Sequence, residues 1–538
     1  LSWLPWLFSI TLGLSRGERW LAPFGIAVAC VLTAGHPQMA VIALLGAGVV
    51  FVAARGTGRW QAVVGVGLGL VAASPQLLAS GELSGLSARA GGVDSGFANV
   101  GSLPPWELTT VALPRFWGFE RPADIAATYM HKGAAYFGTG ESHWEGCLFV
   151  GVVVLVLMTA GRSRLWWGLL AGSLLLALGK YTPAWWILQQ VPVLDHFRFP
   201  VRFAALAVLA ASLLAAEGYD RGPSRRGVAG VAGLLLSMLV GGVVVLAVAS
   251  NADVGYPERL AAVAAGMRWN LSWGLLAPAL ALIGCVVLPR RMLPALLVLE
   301  LSLSMWQYNP RSLPPPAPEG LPEGLARIAV VDRVAVSGAA TANLSSMYGA
   351  REVLVPSPLL LPYHEEVLAN AGVDIGREHG AVKAAQVASN VDALRRLCVT
   401  RVYSPHVLDL PEVAPGVYAL ADAPCAWLDG GQASILAYES GSVQIEAVGD
   451  GTLVLADTWY PGWVARVDGV ETEIERVHGS LRGVPVVGQS SIELTYEPWW
   501  RWTLVPSFLA WLLLLLGAVY TARVRVLASP PVQGPGER

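Results

Sequence analysis

Arg198 and Arg202 flank Pro200 in the run HFRFPVRF, and that spacing is suited to gripping an anion. Proline fits the first turn of a helix because it has no N–H to leave unsatisfied. The free N–H groups of that turn and the two guanidinium groups can then converge on a phosphate or carboxylate. His196 could join such a site. The alternative is that the arginines reach out to lipid headgroups or pair with Asp195. A second concentration of chemistry lies in residues 80–145, among them Arg89, Arg115, Tyr136, Glu141, His143 and Glu145. Arg89 and Arg115 are candidates for phosphate. The run E-S-H-W-E at 141–145 puts two carboxylates and a histidine within five residues, which invites a metal ion. No second ligand cluster at metal spacing accompanies it, so a divalent cation lacks support and no cofactor is called for.

Other candidates stand alone. His36 and Gln38 belong to the turn GHPQ, where Gly35 as a helix cap and Pro37 as a helix start account for the geometry. Neither role requires His or Gln, so contact with a ligand stays open, His36 at an anion and Gln38 in a polar cavity. Glu300 sits within MLPALLVLELSLSMWQY. A carboxylate at mid-membrane costs at least about 2.5–3.5 kcal/mol and must face protein or water. It either lines a cavity, together with Gln38 and Tyr136, or makes a hydrogen-bonded contact between helices. In DTWYPGW (457–463), Trp459, Tyr460 and Trp463 could stack on a sugar or serve as core and interfacial anchors.

The elements that must position these residues are membrane helices. Only 14% of the 538 residues are charged, 54% are hydrophobic, and the mean hydropathy is +0.54. A soluble surface needs about a quarter of its residues charged, so a purely soluble enzyme and a disordered chain are both excluded. The net charge of −2 carries no basic excess for nucleic acid. Reading for apolar runs near 20 residues predicts eleven transmembrane helices, near 2–14, 20–35, 38–54, 60–79, 146–160, 165–180, 201–217, 227–249, 269–288, 292–308 and 502–522. Thirteen arginines, from Arg16 and Arg19 through Arg290 and Arg291 to Arg523 and Arg525, fall in every second connection. By the positive-inside rule these connections are cytoplasmic. The 35–37 turn, the 80–145 loop, the 181–200 segment, the 250–268 loop and residues 309–500 then face outward. The chain starts with Leu1 and shows no signal-peptide n-region, so at least one earlier helix and an outer loop are expected to precede it.

The expected organisation is a polytopic α-helical part over 1–308, an outer mixed α/β region over 309–429, an outer β-sandwich-like module over 430–500, a final helix over 501–522 and a cytoplasmic tail over 523–538. The module rests on alternation in SVQIEAV, TLVLADTWY, WVARVDG, TEIERV and SIELTYE, separated by Gly-containing turns. Residues 311–320 read as a proline-rich linker. Cys398 and Cys425 could pair in an oxidising compartment, and the reading here is two free thiols.

Seven segments in order along nearly the whole chain carry a resemblance to a known family. They are GHPQ at 35–38, ASPQLLASGELSGLSAR at 73–89, LPPWELTTVALPRFWG at 103–118, AAYFGTGESHWEGCLFVGV at 134–152, HFRFPVRFAALAVLAASLLAAEGYD at 196–220, ANLSSMYGAREV at 342–353 and LVLADTWYPGWVARVDGVETEIERV at 453–477. In these the chain resembles the YfhO family of bacterial polytopic membrane proteins, which are similar to GT-C-type glycosyltransferases. The resemblance implies transfer of a sugar from a polyprenyl-phosphate carrier to a cell-envelope glycan or polymer acceptor, at the outer face of the bacterial cytoplasmic membrane. It also implies a catalytic carboxylate in a first outer loop, upstream of Leu1. Within this chain Glu141 and Glu145 are the carboxylate candidates, able also to bind sugar hydroxyls. Two other classes compete, a flippase or exporter of a lipid-linked glycan and a non-catalytic envelope assembly protein. Transport is disfavoured because Glu300 is the one clear charge at a helix centre.

Overall fold

The computed structural model describes residues 2–55, 57–87, 90–114, 116, 146–191, 194–251, 274–305, 326–330, 351–353, 360–371, 373–374, 381–382, 387–404 and 406–528. The chain divides into two units. One comprises Leu1–Ala79, Gly92–Arg311 and Trp502–Arg538, the other Ser80–Gly91 and Ser312–Arg501.

The first unit is helical. Each of the eleven apolar runs coincides with a helix, from Leu4–Ser15 to Leu504–Ala528. Among the described residues, four segments are long and apolar enough to cross a membrane: Arg59–Leu86, Pro200–Arg221, Arg225–Val244 and Trp499–Val524. Eleven membrane spans are not shown; Leu4–Ser15, Leu21–Thr33, Pro37–Ala53, Arg164–Ala177 and Leu276–Val287 are shorter apolar helices. Leu21–Thr33, for example, has 13 residues and so covers only about 20 Å. The perimeter is apolar: Val63 is 71% exposed, Leu236 60% and Phe508 67%. Water would penalise such a surface and a bilayer would not.

Close packing in this unit is built on small residues. A Cβ on Gly218 would lie 1.9 Å from the Leu157 carbonyl oxygen, so only glycine lets the Ala204–Arg221 and Val152–Met158 helices approach this closely. Pro75, inside Arg59–Leu86, cannot donate to the Val71 carbonyl, and the Ser74 hydroxyl donates there instead at 2.8 Å. One residue along, the Ala72 carbonyl accepts from Ser507 Oγ (2.6 Å) and Trp511 Nε1 (3.2 Å), tying the last helix to this one.

Arginine-bearing connections meet one another. Thr57 N donates to Ser15 O, which brings together the 16–19 and 55–59 connections. The amides of Arg162 and Ser163 donate to Glu217 Oε2, and Arg290 Nη1 donates to Asp220 O at 2.6 Å. The expected long loop at 80–145 begins later than the sequence suggested, because the helix continues to Leu86. Its last turns belong to the second unit, where Glu82 accepts from Trp499 Nε1 (2.7 Å) and Tyr460 Oη (3.2 Å).

Among the described residues, the second unit holds three larger β-sheets and a two-stranded antiparallel pair, β3 (Val373–Asp374) and β4 (Ala381–Val382). In one, β1 (Arg327–Val330) pairs in parallel with β2 (Arg351–Glu352) and β5 (Val399–Tyr403), and β7 (Val417–Ala419) and β6 (Glu412–Ala414) add antiparallel strands. The helix Pro362–Asn370 shares its core through Leu368. The other two sheets enclose a common core that includes Val443, Leu453, Ala465, Val484 and Ile492. One runs β13 (Val470–Thr472), β12 (Trp463–Val467), β16 (Gln489–Tyr496), β10 (Ser442–Val448), β9 (Gln432–Glu439). Its partner runs β14 (Glu475–Val477), β15 (Leu481–Val486), β11 (Gly451–Thr458), β8 (Ala426–Leu428). Inward and outward positions alternate along β10 and β16, as strand periodicity requires. TEIERV, read as one strand, is two: the chain leaves the first of these sheets after Thr472 and enters the second at Glu475. Cys398 and Cys425 form a disulfide, with Cα atoms 4.8 Å apart, which corrects the expectation of free thiols.

The 146–160 run departs most from its expected form. Only Val152–Met158 is helical, and Gly151 has φ +90°. A helix beginning inside an apolar unit exposes N–H groups that no water can satisfy. Glu300, 2% exposed, supplies the acceptors: Val152 N donates to Oε1 at 2.5 Å and Val153 N to Oε2 at 3.1 Å. The buried carboxylate thus caps the Val152–Met158 helix. Glu300→Leu leaves both amides unsatisfied and should destabilise the solubilised protein by about 3 kcal/mol or more, whereas Glu300→Gln, which keeps one carbonyl acceptor, should cost about half as much. Unfolding in detergent checks this; equal loss in both variants would reject the capping role.

Candidate functional site

The arginine pair sits where three segments of the helical unit meet. Phe199 N donates to Val100 O (2.9 Å), Val201 N to Gly101 O (3.1 Å) and Val93 N to Asp195 O (3.2 Å), so residues 93–101 lie along 195–201. Phe199 takes the left-handed conformation, with φ 60° and ψ 64°, and turns the chain into the short Pro200–Phe203 helix that opens Ala204–Arg221. Gly101 permits this turn: a Cβ there would lie 2.1 Å from the Phe199 ring.

Gln38 holds the arrangement from the start of another helix. Its side chain is buried, and Nε2 donates to the carbonyls of Arg198 (2.5 Å) and Phe199 (3.3 Å). Its Oε1 accepts from Arg202 Nη1 at 2.7 Å. The guanidinium groups of Arg198 and Arg202 lie 4.7 and 4.6 Å from the centroid of the one Phe199 ring, and Arg198 is 4.7 Å from the Phe97 ring as well. Aromatic faces attract cations by about 0.5–2 kcal/mol each. The two positive charges are therefore collected at one place. Asp195 pairs with His196 (2.8 Å) and with neither arginine, which removes that alternative. His36 is exposed, and its Nδ1 accepts from Met39 N at 3.3 Å, so it caps the Pro37–Ala53 helix.

The remaining sequence candidates separate. Glu300 spends its oxygens on backbone amides, as described. Trp459, Tyr460 and Trp463 are each half-buried in the second unit. Trp459 Nε1 donates to Ile474 O (3.2 Å), Tyr460 donates to Glu82, and Trp463 packs on Tyr496 at 5.5 Å. These are anchoring contacts. Trp499 and Trp502 are 56% and 63% exposed. Arg89, Arg115, Tyr136, Glu141 and Glu145 lie outside the described residues, as does His143. Among the described residues no three His, Cys, Asp or Glu side chains gather as a metal site.

Sequence reading missed a buried charge cluster in the second unit. Asp457 accepts from Arg327 Nη2 (2.7 Å) and from Tyr438 Oη (2.5 Å), and Arg482 Nη1 lies 3.7 Å from its other oxygen. His364 lies beside them, bonded to Ser480 Oγ at 3.1 Å. The available signal was that Arg482 shares the alternation of the buried Val484 and Val486, so a charge falls on an inward-facing position.

Comparison with protein-family models, with curated proteins and with solved structures finds no match to this chain.

Burial, reinforced by the charge of Arg327, pushes His364 down to about 4 from the ordinary 6.5. The folded state thus favours its neutral form. Its contribution is complete above about pH 6.5 and is lost as pH falls towards 4, by up to about 3 kcal/mol. His364→Gln should flatten the pH dependence of unfolding over that window; an unchanged slope would show that other groups set it.

Proposed function

We propose that this protein is a membrane glycosyltransferase of the YfhO, GT-C-like kind, which takes a sugar from a polyprenyl-phosphate carrier and places it on a cell-envelope acceptor. The observation that carries this reading is the pair Arg198 and Arg202, gathered on the Phe199 ring at the start of a helix of membrane-spanning length. A lipid-linked donor presents its phosphate at that depth, and Gln38 orients one of the two guanidinium groups towards its neighbour's backbone turn.

In an inverting transfer the acceptor hydroxyl oxygen attacks the anomeric carbon and gives its proton to a carboxylate. The bond from that carbon to the phosphate oxygen breaks, and polyprenyl phosphate leaves with the electron pair. Arg198 and Arg202 stabilise the negative charge that grows on the departing phosphate, the step at which fixed cations contribute most. Glu141 and Glu145 remain the carboxylate candidates within the chain.

Two features favour the outer face of the bacterial cytoplasmic membrane as the place of reaction. The arginines of alternate connections follow the positive-inside pattern, which leaves the 195–202 segment and the second unit outside. The Cys398–Cys425 disulfide fits an oxidising compartment for that unit.

Arg198→Ala and Arg202→Ala should each lower sugar transfer from a short-chain polyprenyl-phosphate donor by about a hundredfold, with normal protein levels in the membrane. Arg202→Lys should recover only part of it, because lysine lacks the planar fork. Normal transfer with lipid-linked glycan retained inside would favour transport instead. Normal transfer and normal export together would leave an assembly role.

A further inference from the structure

Among the described residues, the charge cluster of the second unit contains more cations than carboxylates. Arg327 and Arg482 are both deeply buried, with side chains 15% and 7% exposed, and they share the single carboxylate of Asp457. The guanidinium of Arg351 lies 4.4 Å from the ring of Tyr438, which itself donates to Asp457. Among the described residues, three arginines thus surround one acid, and His364 adds no negative charge. Asp457 is already engaged through both oxygens, to Arg327 and to Tyr438.

Arg482 shows the shortfall in its own bonding. Its Nε donates to Thr458 O at 3.2 Å, while its buried Nη1 has no hydrogen-bond acceptor. Trp463 covers one guanidinium face, with its ring centroid at 3.9 Å, so only the in-plane edge can gain a partner. A buried donor without an acceptor is costly, as is a buried cation that shares its one counter-charge with another, and one bound anion relieves both.

We infer that this cluster is an anion-binding site that takes one oxyanion group, a phosphate or a carboxylate, with Arg482 and Arg327 at its base and the half-exposed Arg351 at its mouth. Guanidinium forks match the planar or tetrahedral oxygens of these groups, whereas chloride offers a single point of contact. The site is separate from the Arg198 and Arg202 pair and does not depend on the sugar-transfer reading. Its ligand is either a free phosphate or the acidic group of a glycan.

The test is hydrogen–deuterium exchange on the detergent-solubilised full chain, read on peptides covering 451–458 and 481–486. Inorganic phosphate and glucuronate are titrated separately at constant ionic strength, with chloride as control. At least one oxyanion should slow exchange in both peptides saturably, and whichever acts more strongly identifies the source. Arg351→Gln should raise the half-saturating concentration about tenfold, measured against that variant's own exchange without anion. Arg198→Ala should leave the titration intact, which keeps the two sites distinguishable. Asp457→Asn removes the competing carboxylate and should lower the half-saturating concentration; if that variant does not fold, Arg351→Gln decides. Protection no greater than with chloride, or an Arg351→Gln titration matching the unmodified protein, would overturn the inference.

Discussion

Wherever the backbone of the helical unit leaves regular geometry, its polar groups have to find partners within the protein, because an apolar surrounding provides none. That constraint governs the placement of nearly every conspicuous polar side chain there. Gln38 takes up the carbonyls of Arg198 and Phe199. Glu300 takes up the amides of Val152 and Val153. Ser74 serves the Val71 carbonyl beside Pro75, and Ser507 and Trp511 serve that of Ala72. Each repair also joins segments distant in the chain or holds a break in a helix, so the satisfaction of backbone groups and the packing of the unit are the same event.

The arginine pair inherits its geometry from this arrangement. Because Gln38 is committed to the 198–199 turn, its free carbonyl oxygen is the one that meets Arg202, and the Phe199 ring collects both guanidinium groups. Among their contacts are a neutral amide, for Arg202, and the aromatic face of Phe199, which both guanidinium groups share. The second unit solves a related problem differently. There Asp457 gathers Arg327 and Tyr438 in a buried network, and burial makes every uncompensated charge expensive. The first arrangement stands at the start of a membrane-length helix and the second lies between packed sheets.

Much of the architecture was readable from periodicity alone. Eleven apolar runs coincide with helices, and alternating strands such as Ser442–Val448 fall where the pattern placed them. The arginines in alternate connections, the pairing of Arg198 with Arg202 across Pro200, and the need of Glu300 for a partner are all local statements about residue type and spacing. Periodicity measures which face of an element is buried, and composition measures the solvent it can tolerate, so these properties survive without knowledge of the neighbours.

Partnership between distant segments was decided only by the tertiary structure. That Gln38 binds 160 residues away at Arg198, that Glu300 caps a helix starting at Val152, and that Cys398 meets Cys425 depend on which segments become neighbours. The 146–160 run has the composition of a full helix yet forms only Val152–Met158. Likewise TEIERV has the alternation of one strand yet divides between two sheets. Hydrogen bonds and ion pairs act over a few ångströms in space and carry no mark in the spacing of residues along the chain, so the sequence by itself determined the elements and their environment, while the fold alone determined which polar groups answer one another.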